Sequence, residues 1–382
     1  MENVGNLELQ ENWQLIEKLL PAGWQDKAKE SLAWNGIYEQ KFLDPSTLLR
    51  VLLMHITGNS LRQTAAQAKM GGLVDVSDVA ILKRLRKCQA WFSWMVQRLA
   101  DNAARTELPV LPGRRMRFID GSIVCEPGPK GATWRLHYAI DAVSLCCEEA
   151  HVTDIHQGES LTRFKVAPGD ILMGDRNFAT RRGIRYVKSH QGDVIVRMNL
   201  TNVPLEDQEG KKIHILPLLR TLKEGESAAF DVQMRDEQGT LPLRLCVRKH
   251  EAPQQQQAQD RVRREARKDK CALQDQTVEA ACYVMVLTTI FGLPAEMILG
   301  LYRWRWQVEL AFKRLKSLLH FGHLKKKDAQ GALAWLQGKV LLALLIEKLI
   351  AVGDLFSPEL DHFGDEGSID RSGQITRAQS LA

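Results

Sequence analysis

Apolar positions recur at helical spacing in the first hundred residues. Asp44-Pro45-Ser46 is a start signal, an N-cap followed by a proline at the first helical position. Leu48, Leu49, Leu52, Leu53 and Ile56 then mark one apolar face, and Gly58 stops that helix. Ser60 caps a second helix over 61–69, which Gly71-Gly72 end. Ser77 or Asp78 caps a third, running through Ile81, Leu82, Leu85, Trp91 and Met95. A short helix, a glycine turn and a helix carrying Lys83, Arg84, Arg86 and Lys87 have the outline of a helix-turn-helix. Those four cations read either as a DNA-contacting face or as the solvated face of a helical bundle.

The period then falls to two. Residues 116–125 (MRFIDGSIVC) read as a strand with Asp120 in its middle, and 134–144 and 147–153 as two more. A short apolar run over 171–174 delivers Asp175, 180–190 returns to helix, and 193–198 (DVIVRM) is a further strand. Strands mixed with helices indicate an α/β core. From 200 to 290 the β-prone runs 228–234, 241–249 and 281–289 stand between polar turns. Among them Gln254 to Gln257 read as a surface loop. The charge-dense 261–270 (RVRREARKDK) reads as a solvated helix or as a phosphate contact. Helical periodicity resumes from Pro294 to about His323 and again over about 328–352, and 353–382 shows none, which predicts a mobile tail.

Composition narrows the class. The chain has 382 residues, 45% of them hydrophobic and 26% charged, enough for two or three domains with a real core. The longest apolar run, Val340 to Ile346, is far short of the roughly 20 residues that a bilayer span needs. No signal-peptide pattern opens the sequence, so the expected location is the cytoplasm. Seven cysteines without a CxxC pair predict reduced, mostly buried thiols in place of a disulfide or zinc framework. The net charge of +6 weakly favours a polyanionic partner.

The residues that carry chemistry lie between Leu301 and Lys327. This stretch holds Arg303, Arg305, Lys313, Arg314, Lys316, Lys325, Lys326 and Lys327, and a single carboxylate, Glu309. At about 100° per residue, Tyr302 at 0° puts Arg305 at about 300°, Glu309 at about 340° and Lys316 at about 320°. One stripe of a continuous helix thus presents Tyr, Arg, Glu and Lys together. Leu301, Trp304, Val308, Ala311, Leu315, Leu318 and Leu319 form a separate apolar face. On spacing alone, an amphipathic surface helix with a salt-bridged glutamate is the better account.

Tyr302-x2-Arg305-x3-Glu309-x6-Lys316 resembles, at every spacing, the Y-(2)-R-(3)-E-(6)-K signature of the IS4 family of insertion-sequence transposases. Asp120, in a strand and followed by Gly-Ser, is similar to the family's first catalytic aspartate, and Asp175-Arg176 to the second. The phrases WRLHYAID and YVMVLTT also resemble the family, and the likeness runs over roughly 40–350.

The resemblance implies an α/β fold: an RNase H-like catalytic core, a mixed sheet with flanking helices, interrupted by a β-rich insertion and preceded by an N-terminal helical domain. The expected boundaries are 1–105 for the helical DNA-binding domain, 106–199 for the first part of the core and 200–290 for the insertion. The helical last part with Glu309 spans 291–352, and the tail 353–382. Asp120, Asp175 and Glu309 are the implied catalytic residues and ligands of Mg²⁺, with Mn²⁺ able to substitute. Three carboxylates suit in-line displacement at a phosphodiester assisted by two metal ions.

Tyr302, Arg305, Lys316 and Arg176, with Lys83, Arg84, Arg86 and Lys87, are the expected DNA-binding residues. Arginine offers a phosphate a bidentate fork and lysine a point charge. The implied activity is DNA strand cleavage at terminal inverted repeats and transfer of 3′-OH ends into target DNA, with a hairpin intermediate as in better-studied members. It implies double-stranded DNA as partner, a homodimer in the synaptic complex, no membrane, and a bacterial, nucleoid-associated location. A catalytically inactive DNA-binding relative or regulator, or a non-transposing RNase H-like nuclease, stays open as an alternative.

Secondary expectations concern the aromatics and histidines. The wheel puts Trp304 in the core and Trp306 nearer the polar stripe, where it can stack on a base. Tyr283, near the insertion strand where some family members brace a flipped base, reads as a core tyrosine. His137 and His151 read as strand residues and not as metal ligands.

Overall fold

The computed structural model describes residues 12–35, 42–101, 106–108, 110–125, 132–198, 200–318, 324 and 328–356. The expectations for 357–382, for the basic cluster 325–327 and for the Lys316 side chain lie outside the described residues.

Helices α1 (Trp24–Glu30), α2 (Pro45–Ile56), α3 (Leu61–Met70), α4 (Asp78–Lys87) and α5 (Gln89–Asp101) come first. Their caps are those the sequence announces. The Asp44 carboxylate accepts from Thr47 N at 2.7 Å, Ser60 and Gln63 close a reciprocal capping box, and Ser77 accepts from Ala80 N. One expectation changes here: the third helix is two. It stops at Cys88, whose N–H turns back to Leu85 O, and α5 starts at Gln89. The break lets Ile81 and Leu85 face one side while Trp91, Phe92, Met95 and Val96 swing into the shared core.

The strands are β1 (Arg115–Cys125), β2 (Ala132–Asp141), β3 (Cys147–Asp154), β4 (Asp170–Gly174), β5 (Asp193–Arg197), β6 (Ser227–Asp236), β7 (Gly239–Lys249) and β8 (Tyr283–Thr288). They form one eight-stranded sheet in the order β3-β2-β1-β4-β5-β8-β7-β6. β1 and β4, and β4 and β5, are parallel, and every other pair is antiparallel. Helix α6 (Arg181–Ser189) carries the chain from β4 to β5, as parallel neighbours require. The strands of the 200–290 segment extend the sheet edge at β5, so core and insertion share one set of backbone hydrogen bonds. A short helix α7 (Ile215–Leu219) precedes β6.

Between β7 and β8 stand α8 (Ala252–Asp269) and α9 (Asp275–Ala280). This overturns the loop expected at Gln254 to Gln257: all four glutamines are in α8. Glutamine is a good helix former, and Pro253 in the first turn starts the helix without losing a bond.

The sheet separates two cores by strand alternation. Phe118, Tyr138, Ile140, Ile171 and Met173 face α2, α4, α5 and the long α12 (Ala329–Phe356). Ile119, Ala139, Leu172, Val194 and Val196 face α6 and the 3₁₀ turn at Leu161–Arg163. Helix α12 binds the layers together. Glu347 accepts from Tyr138 OH on β2 and from Cys147 N at the start of β3, each at 3.1 Å. Asp328 caps its N-terminus through Gly331 N and receives Arg86 of α4 at 3.0 Å. The helix runs to Phe356, four residues beyond the expected boundary at 352. All seven cysteines are free, four of them buried. No helix among the described residues is long and apolar enough to cross a membrane.

Gly338 sets how closely α12 approaches the N-terminal helices. A Cβ there would stand 2.3 Å from Ile56 Cδ1 and 3.2 Å from Phe92 Cε2, both fully buried. Gly338→Val should cost about 1–3 kcal/mol by overpacking, read as a lower urea midpoint at unchanged m-value.

Candidate active site

The parallel register places the two aspartates. Phe118 on β1 pairs with Met173 on β4, and pairing ends there. Two residues further along each strand are Asp120 and Asp175. Both therefore stand where adjacent parallel strands diverge at their carboxyl ends, the place where open α/β sheets form a crevice. Asp120 shares its face with Phe118, the face on which α10 (Ala295–Arg303) and α11 (Trp306–Leu318) lie. Helix α11 packs against β1 and carries Glu309.

The helical region is not continuous. Trp304 and Arg305 lie between α10 and α11, where N–H groups bond three residues back: Trp304 to Leu301, Arg305 to Tyr302, Gln307 to Trp304 and Val308 to Arg305. This tightening shifts the phase of the wheel, so Trp304 is 52% exposed and not in the core, against expectation. Trp306, 50% exposed, stands beside it.

Tyr302, Arg305 and Glu309 stay together across the break. Arg305 Nη2 donates to Glu309 Oε1 at 2.6 Å, and its guanidinium lies 5.9 Å from the Tyr302 ring centre. Burial raises the Tyr302 hydroxyl pKa, with Arg305 and Arg197 of β5 opposing and Asp175 adding to the rise. Burial lowers that of Arg305, but Tyr302, Glu309 and Asp120 outweigh it and hold the guanidinium above its ordinary value. Arg305 is thus the cation between the acidic pair and Glu309, 19% exposed against 53% for Glu309.

Burial, with Asp175 and Glu159 repelling its charge, pushes the Asp120 carboxyl up to about 7; the bond from Gly121 N and the Arg305 charge oppose this.

Glu159 is the site residue that the sequence reading missed. Its carboxylate lies over the backbone of Gly121, where a Cβ would stand 2.5 Å from Glu159 Oε1. Asn177, two residues after Asp175, donates to Glu159 Oε2 at 2.9 Å. Burial raises its pKa too, and Arg135 faces it. The signal was a glycine inside a strand beside the first aspartate, which marks close approach of another group.

The other expected residues divide. Arg176 is exposed beside Asp175. On α4, Lys83 and Lys87 are exposed, Arg84 is half-buried, and Arg86 is spent on Asp328. Tyr283 is a buried core ring under the Lys249 ammonium, and His137 is fully buried with Nε2 at 2.9 Å from Thr153 Oγ1. His151 Nε2 lies 2.8 Å from Glu149.

A mixed sheet with two aspartates at its carboxyl edge and a glutamate on the helix above is the arrangement of an RNase H-like core. The Transposase DDE domain family matches residues 132–346, a span that holds Asp175 and Glu309 and begins downstream of Asp120. The chain is 34% identical over 328 residues to the InsL transposase of insertion sequence element IS186A of Escherichia coli (strain K12), covering 83% of this chain and 86% of that protein. It is 34% identical over 329 residues to the transposase of insertion sequence element IS421 of Escherichia coli, with the same coverage of both chains. Among solved structures, a piggyBac transposase synaptic complex with hairpin DNA matches over 94% of this chain and 85% of that one, at TM-score 0.42 and 8% identity. The chain belongs to the DDE-domain transposases, in the IS4 family, enzymes that cut and rejoin DNA.

This family works with a divalent metal ion. The donor set offers what such an ion takes: hard carboxylate oxygens, two of them at the ends of diverging strands, with burial disfavouring the Asp120 charge in the absence of a bound cation. Glu309 is bonded to Arg305, and among the described residues no three His, Cys, Asp or Glu side chains converge on one point.

The raised Asp120 carboxyl makes its charge a cost to the folded, metal-free protein. The cost is absent below about pH 4, grows as pH rises from the ordinary 3.8 towards 7, and is complete above that. Asp120→Asn should therefore stabilise the metal-free protein by about 2 kcal/mol at pH 8 and not at pH 4, measured by urea denaturation with EDTA at both pH values. An equal effect at the two values would refute the burial of that charge.

Proposed function

We propose that this chain is the transposase of an insertion sequence that binds the element's terminal inverted repeats, hydrolyses the phosphodiester bond at each end and transfers the freed 3′-OH into target DNA. The observation that supports it is the meeting of Asp120 and Asp175 at the diverging ends of β1 and β4 with Arg305, which is bonded to Glu309 on the helix packed against β1. The likeness to transposases of insertion sequences gives the element class.

Asp120, Asp175 and Glu309 act as the catalytic acids and would hold Mg²⁺, or Mn²⁺ in its place. Such ions, when bound, activate the attacking oxygen and stabilise the leaving one. Arg305 offers a charged fork to the phosphate at the cut, and Tyr302 donates a hydrogen bond to a phosphate oxygen. Because Arg305 already bridges to Glu309, an arriving phosphate competes with that carboxylate for the guanidinium. Lys316 and Arg176 add positive charge along the same DNA.

The helices of 1–105 recognise the repeats, with Lys83 and Lys87 as the cations free to reach phosphate, Arg84 at their side and Arg86 holding α4 to α12. Residues 106–199 and 291–352 supply the core, and 200–290 the strands that widen it. Two ends must be held together, so the working form is a homodimer on DNA. A hairpin at each end resolves the second strand. The reaction takes place on the bacterial nucleoid.

Purified protein with Mg²⁺ and a plasmid carrying the DNA that flanks this gene should yield cuts at the ends of an inverted repeat. The cuts should vanish with EDTA and fall at least about a hundredfold in Asp120→Asn, Asp175→Asn and Glu309→Gln. Specific binding without any metal-dependent cut would replace this reading with a regulatory, inactive relative.

A further inference from the structure

We propose that α8 is a backbone clamp for duplex DNA, set beside the catalytic edge of the sheet; this rests on the transposase reading above. The first observation is topological. On β5, Arg197 stands at the same carboxyl edge as Asp175, and it pairs with Val286 of β8. β8 extends three residues beyond that pair to Tyr283, which pairs with Lys249 at the end of β7. The excursion containing α8 therefore leaves and rejoins the sheet about 10 Å beyond Arg197, on the catalytic side. Three strand spacings of about 4.8 Å separate β7 from β4, so α8 springs from roughly 14 Å to the side of the Asp175 strand.

The second observation is the helix itself. Its 18 residues include none that is buried. A helix that is polar all round buries no apolar face and relies on side-chain pairs along its own surface. Its three acids do not balance its five cations: Asp260 takes Arg263 at 3.1 Å, Glu265 takes Arg261 at 3.0 Å, and Asp269 stands at the end of the helix. Arg264, Arg267 and Lys268 have no acid within ion-pair distance among the described residues, and Arg264 bonds only the carbonyl of Asp260. At about 100° per residue, Gln257, Arg261, Arg264 and Lys268 fall within about 60° of one another. This stripe is about 16 Å long, enough to meet several successive phosphates of one strand.

Full-length protein carrying Arg261→Gln, Arg264→Gln and Lys268→Gln should bind a fluorescent random-sequence duplex about tenfold or more weakly at 0.1 M salt. Its log-affinity against log-salt slope should be shallower by about 2 to 3, close to one for each phosphate that the variant leaves unneutralised. The exposed positions predict an unchanged thermal melt. Arg261→Lys with Arg264→Lys should keep the wild-type slope, and Lys27→Gln with Lys29→Gln on α1 should leave it unaltered. A triple variant with wild-type slope and affinity, in a protein that still makes metal-dependent cuts, overturns the clamp and leaves the transposase reading standing. So does a slope reduced equally in the lysine variant. A wild-type protein that neither binds nor cuts duplex overturns both.

Discussion

The four-residue parallel ladder between β1 and β4 is the constraint on which the site depends. Side chains alternate faces along a strand, so a slip of one residue would turn Asp120 away from α11 and into the opposite core. The register is locked at the far end of the same ladder. Arg115 grips its own register partner Asp170 with two hydrogen bonds of 2.9 and 2.8 Å and reaches Glu148 at 3.0 Å. Arg117, almost wholly buried, is held between Glu148 and Glu149 at 2.7 Å each. Removing one partner would strand a buried charge, which is costly, and a slipped register would break all these pairs at once. The ionic lock at one end of β1 and the placing of the candidate acids at the other are two consequences of one pairing.

The carboxyl end of the ladder is organised by the opposite condition. There burial and mutual repulsion raise the Asp120 and Glu159 carboxyls beside Asp175, and Arg305 and Arg135 offset this only in part. The N-terminal helices and α12 pack into a single core with the helix-side face of the sheet. Glu347 and Asp328 fix α12 at two points.

Much was legible because it is local. Caps such as Asp44, Ser60 and Ser77 state helix starts within four residues, and alternation names β1, β2 and β3. The Tyr302–Arg305–Glu309 spacing brings three residues together because neighbours at three and four positions meet on any helix. The triad itself was reached through family likeness, since an isolated aspartate in a strand announces nothing.

What the sequence determined by itself was therefore the type of each element and the identity of the residues with chemistry to offer. Only the tertiary structure decided their relations. The corner at Trp304–Arg305 put an indole in solvent that a straight helix would have buried. The break at Cys88 redirected α5, and the glutamines of α8 became helix instead of loop. Glu159 joined the site from 39 positions along the chain from Asp120, by a close approach that Gly121 permits and no periodicity encodes. Local hydrogen bonds and alternation are written in neighbouring residues, whereas strand order, helix corners and the meeting of distant charges depend on how every element packs at once.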